Sequence, residues 1–215
     1  MSDFVTVLAA AVPLASGWAW HGVVMRRRLS AARRDPLSGL PTRAAFERRA
    51  ERALARGPHV VIVMDLDGFK HLNDVFGHAA GDEAIRVTAA SLNDALSDRR
   101  GSVAARLGGD EFTAVVPLRD RASLPWLLDG LHGEVTAPFP YRGMPLAVGA
   151  SIGACVTTDL PAPSLPLALR RADEAMYDAK RAGGGWRIAD GPALAHTTTA
   201  GRRTGRPGTA RKEAA

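Results

Sequence analysis

Apolar and polar positions change period several times along the chain, and each change marks an element. Residues 43–56, rich in Arg, Ala and Glu and preceded by Thr42 as a candidate N-cap, predict a helix that Gly57-Pro58 ends. His59 to Asp65 is a continuous apolar run of strand length, as expected of a strand buried on both faces. Gly68 to Phe76 reads as a short helix. Gly77 to Asp82 reads as a turn that launches a helix over 82–97, with Ile85, Ala89 and Leu92 on one face. Residues 102–106 and 112–117 predict two short strands, and Gly108-Gly109 sits where a two-residue hairpin turn needs positive φ. A helix over 120–135, capped by Asp120 or Ser123, and a strand around 145–156 follow. The amphipathic stretch 165–182 predicts a helix terminated by Gly183-Gly-Gly185, with Trp186 to Ile188 as a closing strand. Helix, strand, helix, helix, hairpin, helix, strand, helix is the order of a ferredoxin-like α/β sandwich.

Both ends depart from this pattern. Residues 4–25 contain no acid, Lys or Arg and are long enough to cross a bilayer. Arg26-Arg27-Arg28 follow at once, and Trp18 and Trp20 suit an interfacial belt. The positive-inside rule then leaves the N-terminus outside and the remainder in the cytoplasm. A cleaved signal peptide is the competing reading, disfavoured because the positive charge lies on the wrong side of the apolar run. The expected organisation is a transmembrane anchor with basic flank over 1–28, a juxtamembrane linker over 29–34, a folded domain over 35–190, and a basic disordered tail over 191–215.

The formal charge of +6 suggests nucleic acid until it is divided by segment. Residues 35–190 carry 18 Lys/Arg against 20 Asp/Glu, so the excess basicity lies in the two ends. A folded part so close to neutrality argues against a nucleic-acid-binding face. The single cysteine, Cys155, excludes a disulfide framework and reads as a small core residue.

Candidate chemistry concentrates in a few places. Asp110 and Glu111 follow two glycines at the hairpin tip, where adjacent carboxylates suit a hard cation and its nucleotide phosphates, or form a solvated acidic turn. Asp65 ends a buried strand, where an unpartnered carboxylate is costly, so a metal or a strong partner is expected. The helix opening at Gly68 offers backbone N–H groups to phosphate. Asn73 and Asp82 are either helix caps or a pair matching the guanine edge, and chemistry alone does not separate the two. Lys180, in a last helical turn, either complements the helix dipole or neutralises a polyphosphate.

Five ordered blocks carry a resemblance to a known family. They are Asp35-x-Leu-Ser-Gly-Leu-x-x-Arg43, Asp65-Leu-Asp-Gly-Phe-Lys-x-x-Asn-Asp74 with Phe76-Gly-His-x-x-Gly-Asp82, Gly108-Gly-Asp-Glu-Phe112, Ser151-Ile-Gly153, and Arg171-Ala-Asp-Glu-Ala-Met-Tyr177-x-Ala-Lys180. Residues 35–188 resemble a GGDEF domain, the catalytic module of diguanylate cyclases. The resemblance implies a nucleotide-cyclase-type fold acting as a homodimer that joins two GTP into cyclic di-GMP and releases two pyrophosphates. It implies that Asp65, Asp110 and the Leu66 carbonyl hold two Mg²⁺ ions, with Mn²⁺ an alternative, and that Glu111 assists the metals and activates the ribose 3′-hydroxyl. Gly108 and Gly109 would leave room for phosphates, Gly68, Phe69 and Lys70 would contact the β- and γ-phosphates, Asn73 and Asp82 would read guanine, and Lys180 would neutralise the triphosphate.

Two positions depart from the family's pattern. Members often carry Arg-x-x-Asp, a product-binding inhibitory site, five residues before the double glycine; here the residues are Arg99-Arg-Gly-Ser102, so the site is degenerate and weak product inhibition is expected. After Lys180 the family usually has Gly-Arg-Asn, whereas this chain has Gly183-Gly184-Gly185 and lacks a phosphate-binding Arg unless Arg181 or Arg187 substitutes. The competing readings are a catalytically silent nucleotide-binding or dimerisation module and a cyclase of altered base choice.

Overall fold

The computed structural model describes residues 33–190 together with Trp20 and His21. The expected span over 4–25, apart from those two residues, and the expected tail over 191–215 lie outside the described residues. Among the described residues no helix is long and apolar enough to cross a membrane.

A five-stranded sheet forms the centre. In chain order the elements are α1 (Arg43–Leu54), β1 (His59–Asp67), α2 (Phe69–Phe76), α3 (His78–Ala95), β2 (Val103–Gly108), β3 (Glu111–Pro117), α4 (Leu124–Thr136), β4 (Phe139–Tyr141), β5 (Met144–Leu146), β6 (Gly149–Val156), α5 (Leu165–Arg181) and β7 (Gly185–Ile188). The strand order is β2-β3-β1-β6-β7. The pairs β2–β3, β3–β1 and β1–β6 are antiparallel, and β7 joins β6 in parallel, so the sheet is mixed. Strands β1, β2, β3 and β6 with crossovers α2–α3 and α4 make the expected ferredoxin-like βαββαβ arrangement.

The period of two along β1 explains why the strand reads as uniformly apolar. Val60, Ile62, Met64 and Leu66 face one core, shared with Leu72, Ile85, Leu92, Leu128 and Leu131 of α2, α3 and α4. Val61 and Val63 face a second core, with Phe46 and Ala50 of α1 and Ala168, Ala172 and Met176 of α5. Cys155 is 2% exposed in that second core, and burial pushes its thiol up to about 11, the behaviour of a packing residue.

Four boundaries differ from expectation. The hairpin turn is Gly109-Asp110, because Gly108 pairs with Glu111 after a register shift between Arg106 and Gly108. Gly109 takes φ 56 and Gly108, the last residue of β2, φ 144, so both glycines have the positive φ expected of them although only Gly109 is in the turn. His78 to Asp82 is already helical, so α3 begins four residues early and Asp82 is not a cap. The strand expected from 145 begins at Gly149, and Phe139–Leu146 instead forms a separate two-stranded ribbon, β4–β5. Asp120 does cap, accepting from the Ala122 N–H at 3.0 Å, but the turn it caps is a 3₁₀ turn over Arg121–Ser123 ahead of α4.

Candidate functional site

The carboxylates gather at one end of the sheet because of register. Asp65 pairs with Glu111 on β3 and with Ser151 on β6. Alternation from Val61 and Val63 carries Asp65 and Asp67 onto the α5 face, where the last turn of α5 presents Lys180. Asp65 is 5% exposed and accepts a hydrogen bond from Lys180 Nζ at Oδ1. The costly buried carboxylate foreseen in the sequence therefore has its strong partner, a lysine 115 residues away. Lys180 Nζ also lies 3.8 Å from Asp67 Oδ1.

The hairpin tip is tied down from two sides. The Leu66 N–H donates to the Asp110 carbonyl at 3.3 Å. From β2, Arg106 Nε donates to the Gly109 carbonyl at 2.9 Å while Nη1 donates to Asp35 Oδ1 at 3.0 Å. Asp35 itself folds the loop before α1, accepting the Ser38 N–H at 2.8 Å. Burial works to raise the Asp35 carboxyl, but the Ser38 and Arg106 hydrogen bonds outweigh it and hold it below the ordinary carboxylate value.

On the far side of β1, Gly68 opens α2 in the left-handed conformation at φ 74, Phe69 is half-buried against the first core, and Lys70 is exposed. Asn73 lies on α2 and Asp82, exposed, on α3. Neither caps a helix, so the bland alternative for this pair falls. The Asn73 side chain rests on the backbone of Gly81, where an added Cβ would lie 2.1 Å from Oδ1. Asn73 and Asp82 are thus brought to one helix–helix corner.

Arg99 and Ser102 are also brought together, at the end of β2 away from the hairpin tip. With Asn93, Ser97 and Arg100 they line a cavity of about 250 Å³, and Ser102 Oγ is a buried hydroxyl without a hydrogen-bond partner among the described residues. Gly183, Gly184 and Gly185 all take positive φ, from 87 to 104. Arg181 and Arg187 are exposed, and Arg187 Nη1 bonds the Trp186 carbonyl at 3.2 Å.

Sequence reasoning missed two partnerships. Ser151 is fully buried and its Oγ donates to both oxygens of Asp67, at 2.8 and 3.0 Å. Arg106, two residues before the double glycine, is the other. The available signals were a serine inside the apolar run of β6 and an acid two residues beyond Asp65 on the same strand face.

The donor set fits a hard divalent cation: Asp65 and Glu111 sit opposite each other, and Asp110 lies at the tip bonded to Leu66. Among the described residues no three His, Cys, Asp or Glu side chains alone enclose a metal.

Residues 32–185 match the family described as "Diguanylate cyclase, GGDEF domain". The chain is 48% identical over 165 residues to an uncharacterized 19.3 kDa protein of Streptomyces ambofaciens, covering 76% of this chain and 87% of that one. It is 39% identical over 155 residues to diguanylate cyclase DgcP of Pseudomonas aeruginosa, covering 69% of this chain and only 22% of DgcP. Among solved structures, the coiled coil and GGDEF domain of DgcB from Caulobacter crescentus, crystallised with c-di-GMP, superposes with a TM-score of 0.74 at 26% identity, covering 85% of this chain and 98% of that one.

Proposed function

The chain belongs to the GGDEF family of diguanylate cyclase domains, and from that premise we propose that it condenses two GTP into cyclic di-GMP and two pyrophosphates as a Mg²⁺-dependent homodimer. The observation that carries this reading is the pairing of Asp65 with Glu111 across neighbouring strands, with Lys180 bonded to Asp65 and Asp110 held at the adjoining turn. Asp65, Asp110, Glu111 and the Leu66 carbonyl would hold Mg²⁺, or Mn²⁺, which when bound supplies neutralisation of developing phosphate charge.

The chain's own residues do the remainder. Glu111 accepts the proton of the ribose 3′-hydroxyl as that oxygen attacks the α-phosphate of the facing nucleotide. Lys180 carries positive charge to the leaving pyrophosphate. Gly68, Phe69 and Lys70 receive the β- and γ-phosphates at the start of α2, and the bare backbone of Gly108 and Gly109 leaves them room. Asn73 and Asp82 take the guanine edge from the α2–α3 corner. One domain binds one nucleotide, so the bond forms only between two domains face to face. Residues 4–25, followed by Arg26-Arg27-Arg28, support a single-pass anchor with the catalytic domain in the cytoplasm.

A second reading, a catalytically silent nucleotide-binding module, is favoured by one observation: glycine stands at 184, where the family usually has an arginine. Incubating the full chain with GTP and Mg²⁺ and identifying products by mass spectrometry separates the two. Cyclic di-GMP is expected from the wild type and not from an Asp110→Ala, Glu111→Ala control. GTP binding without product establishes the silent module.

A further inference from the structure

Asp67 has no part in the reading above, yet it is firmly held at the site. It lies two residues beyond Asp65 on the same face of β1. Ser151, fully buried on β6, donates to both of its oxygens. Glycines wall it in: a Cβ at Gly149 would lie 3.0 Å from Asp67 Cβ, and one at Gly184 would lie 3.2 Å from Oδ2. Its Oδ1 is 3.8 Å from Lys180 Nζ, which is bonded to Asp65.

We propose that Asp67 is the second seat of the Lys180 ammonium, a positioning residue that receives Lys180 when a divalent cation takes Asp65. The inference rests on the metal and triphosphate reading above. A divalent cation on Asp65 sets like charges within a few ångströms, and the ammonium must give way. Asp67 is the neighbouring anion that a small side-chain motion reaches. From there the ammonium stays at the site's mouth, facing the phosphates, rather than swinging into solvent, where 44% of its side chain is already exposed. With glycine at 184 the family's usual arginine is missing from the site, so the placement of this ammonium matters more. The Ser151 hydroxyl serves to hold the seat still.

The test is Mn²⁺ affinity of the full chain, read by electron paramagnetic resonance with and without α,β-methylene-GTP. Asp67→Asn is expected to loosen Mn²⁺ about tenfold in the wild-type background and only about twofold with Lys180→Gln present, the residue being lost carboxylate field. Ser151→Ala, which changes no charge, shifts affinity in the same direction, and again only when Lys180 is intact. Lys180→Gln alone tightens Mn²⁺ in the absence of nucleotide. Circular dichroism melts confirm that each variant is folded. Equal losses on Asp67→Asn in both Lys180 backgrounds overturn the proposal and leave Asp67 as a ligand or a bare charge. No Mn²⁺ binding by the wild type, or binding untouched by Asp65→Asn, overturns the metal reading and this proposal together.

Discussion

Replacing Gly153 by alanine tests whether the contact of α5 with the sheet sets the site. A Cβ at Gly153 would stand 1.9 Å from the Ala172 carbonyl oxygen, 2.2 Å from the Met176 nitrogen and 2.8 Å from Met176 Cβ. Two of the three obstacles are helix backbone, so no rotamer change relieves them. The helix must retreat by more than about 1 Å to bring the first contact to an ordinary distance, loosening Ala168, Ala172 and Met176 in the second core. Overpacking of this kind costs about 3 kcal/mol. For a domain of this size that lowers Tm by roughly 6–12 °C. The same retreat carries Lys180 away from Asp65, so the proposed cyclase activity falls before the fold is lost. The control is Gly130→Ala in α4, where nothing lies within 4 Å and the helix gains about 0.5–1 kcal/mol from the added methyl. Thermal melts of both variants beside the wild type give the answer. A Gly153→Ala protein that melts with the wild type and keeps its activity refutes the close-packing argument.

Three further outcomes are expected. Gly184→Arg does not restore a phosphate-binding arginine: φ is 104 and a Cβ would press on Asp67 Oδ2 at 3.2 Å, so stability falls by about 1–3 kcal/mol; tighter GTP binding at unchanged Tm would contradict this. Asp35→Asn removes a carboxylate whose folded pKa is depressed, so the stability it contributes is fully present at pH 7 and is lost as pH falls through that depressed value, below the ordinary Asp range. Denaturant titrations across that range should show wild type and variant converging in acid, and a constant gap refutes the linkage. Product titration should inhibit weakly, because Ser102 brings a hydroxyl where a carboxylate is usual; potent inhibition abolished by Arg99→Ala would show that the cavity of Arg99, Arg100 and Ser102 still works.

What could be read in the sequence was what depends on local period. The apolar run of β1 gave a strand covered on both faces, and the same alternation puts Asp65 and Asp67 on one side. The β4–β5 ribbon escaped because each strand has three residues, with Pro140 and Pro145 within them, and its turn uses Arg142 at φ 48 beside Gly143. The start of α3 was misread because Gly77 and Gly81 together look like a turn. Gly81 is in fact a helical residue left bare so that the Asn73 side chain can lie against it. A glycine that makes room for a distant side chain looks, in sequence, the same as one that lets the chain turn.

The residues that make the site are joined over separations local pattern does not reach: Arg106 to Asp35 over 71 residues, Ser151 to Asp67 over 84, Lys180 to Asp65 over 115. Each junction is decided by register. A slip of one residue between β1 and β3 would place Glu111 opposite Met64 or Leu66, whose side chains belong to the other core, and the acid would lose its place across from Asp65. The bulge between Arg106 and Gly108 acts at the same point from the other strand, moving the turn one residue on so that Asp110, not Gly108, reaches its tip. The GGDEF block therefore owes its chemistry to two facts outside itself: the pairing of β1 with β3, and an arginine that bonds the Gly109 carbonyl to the Asp35 loop.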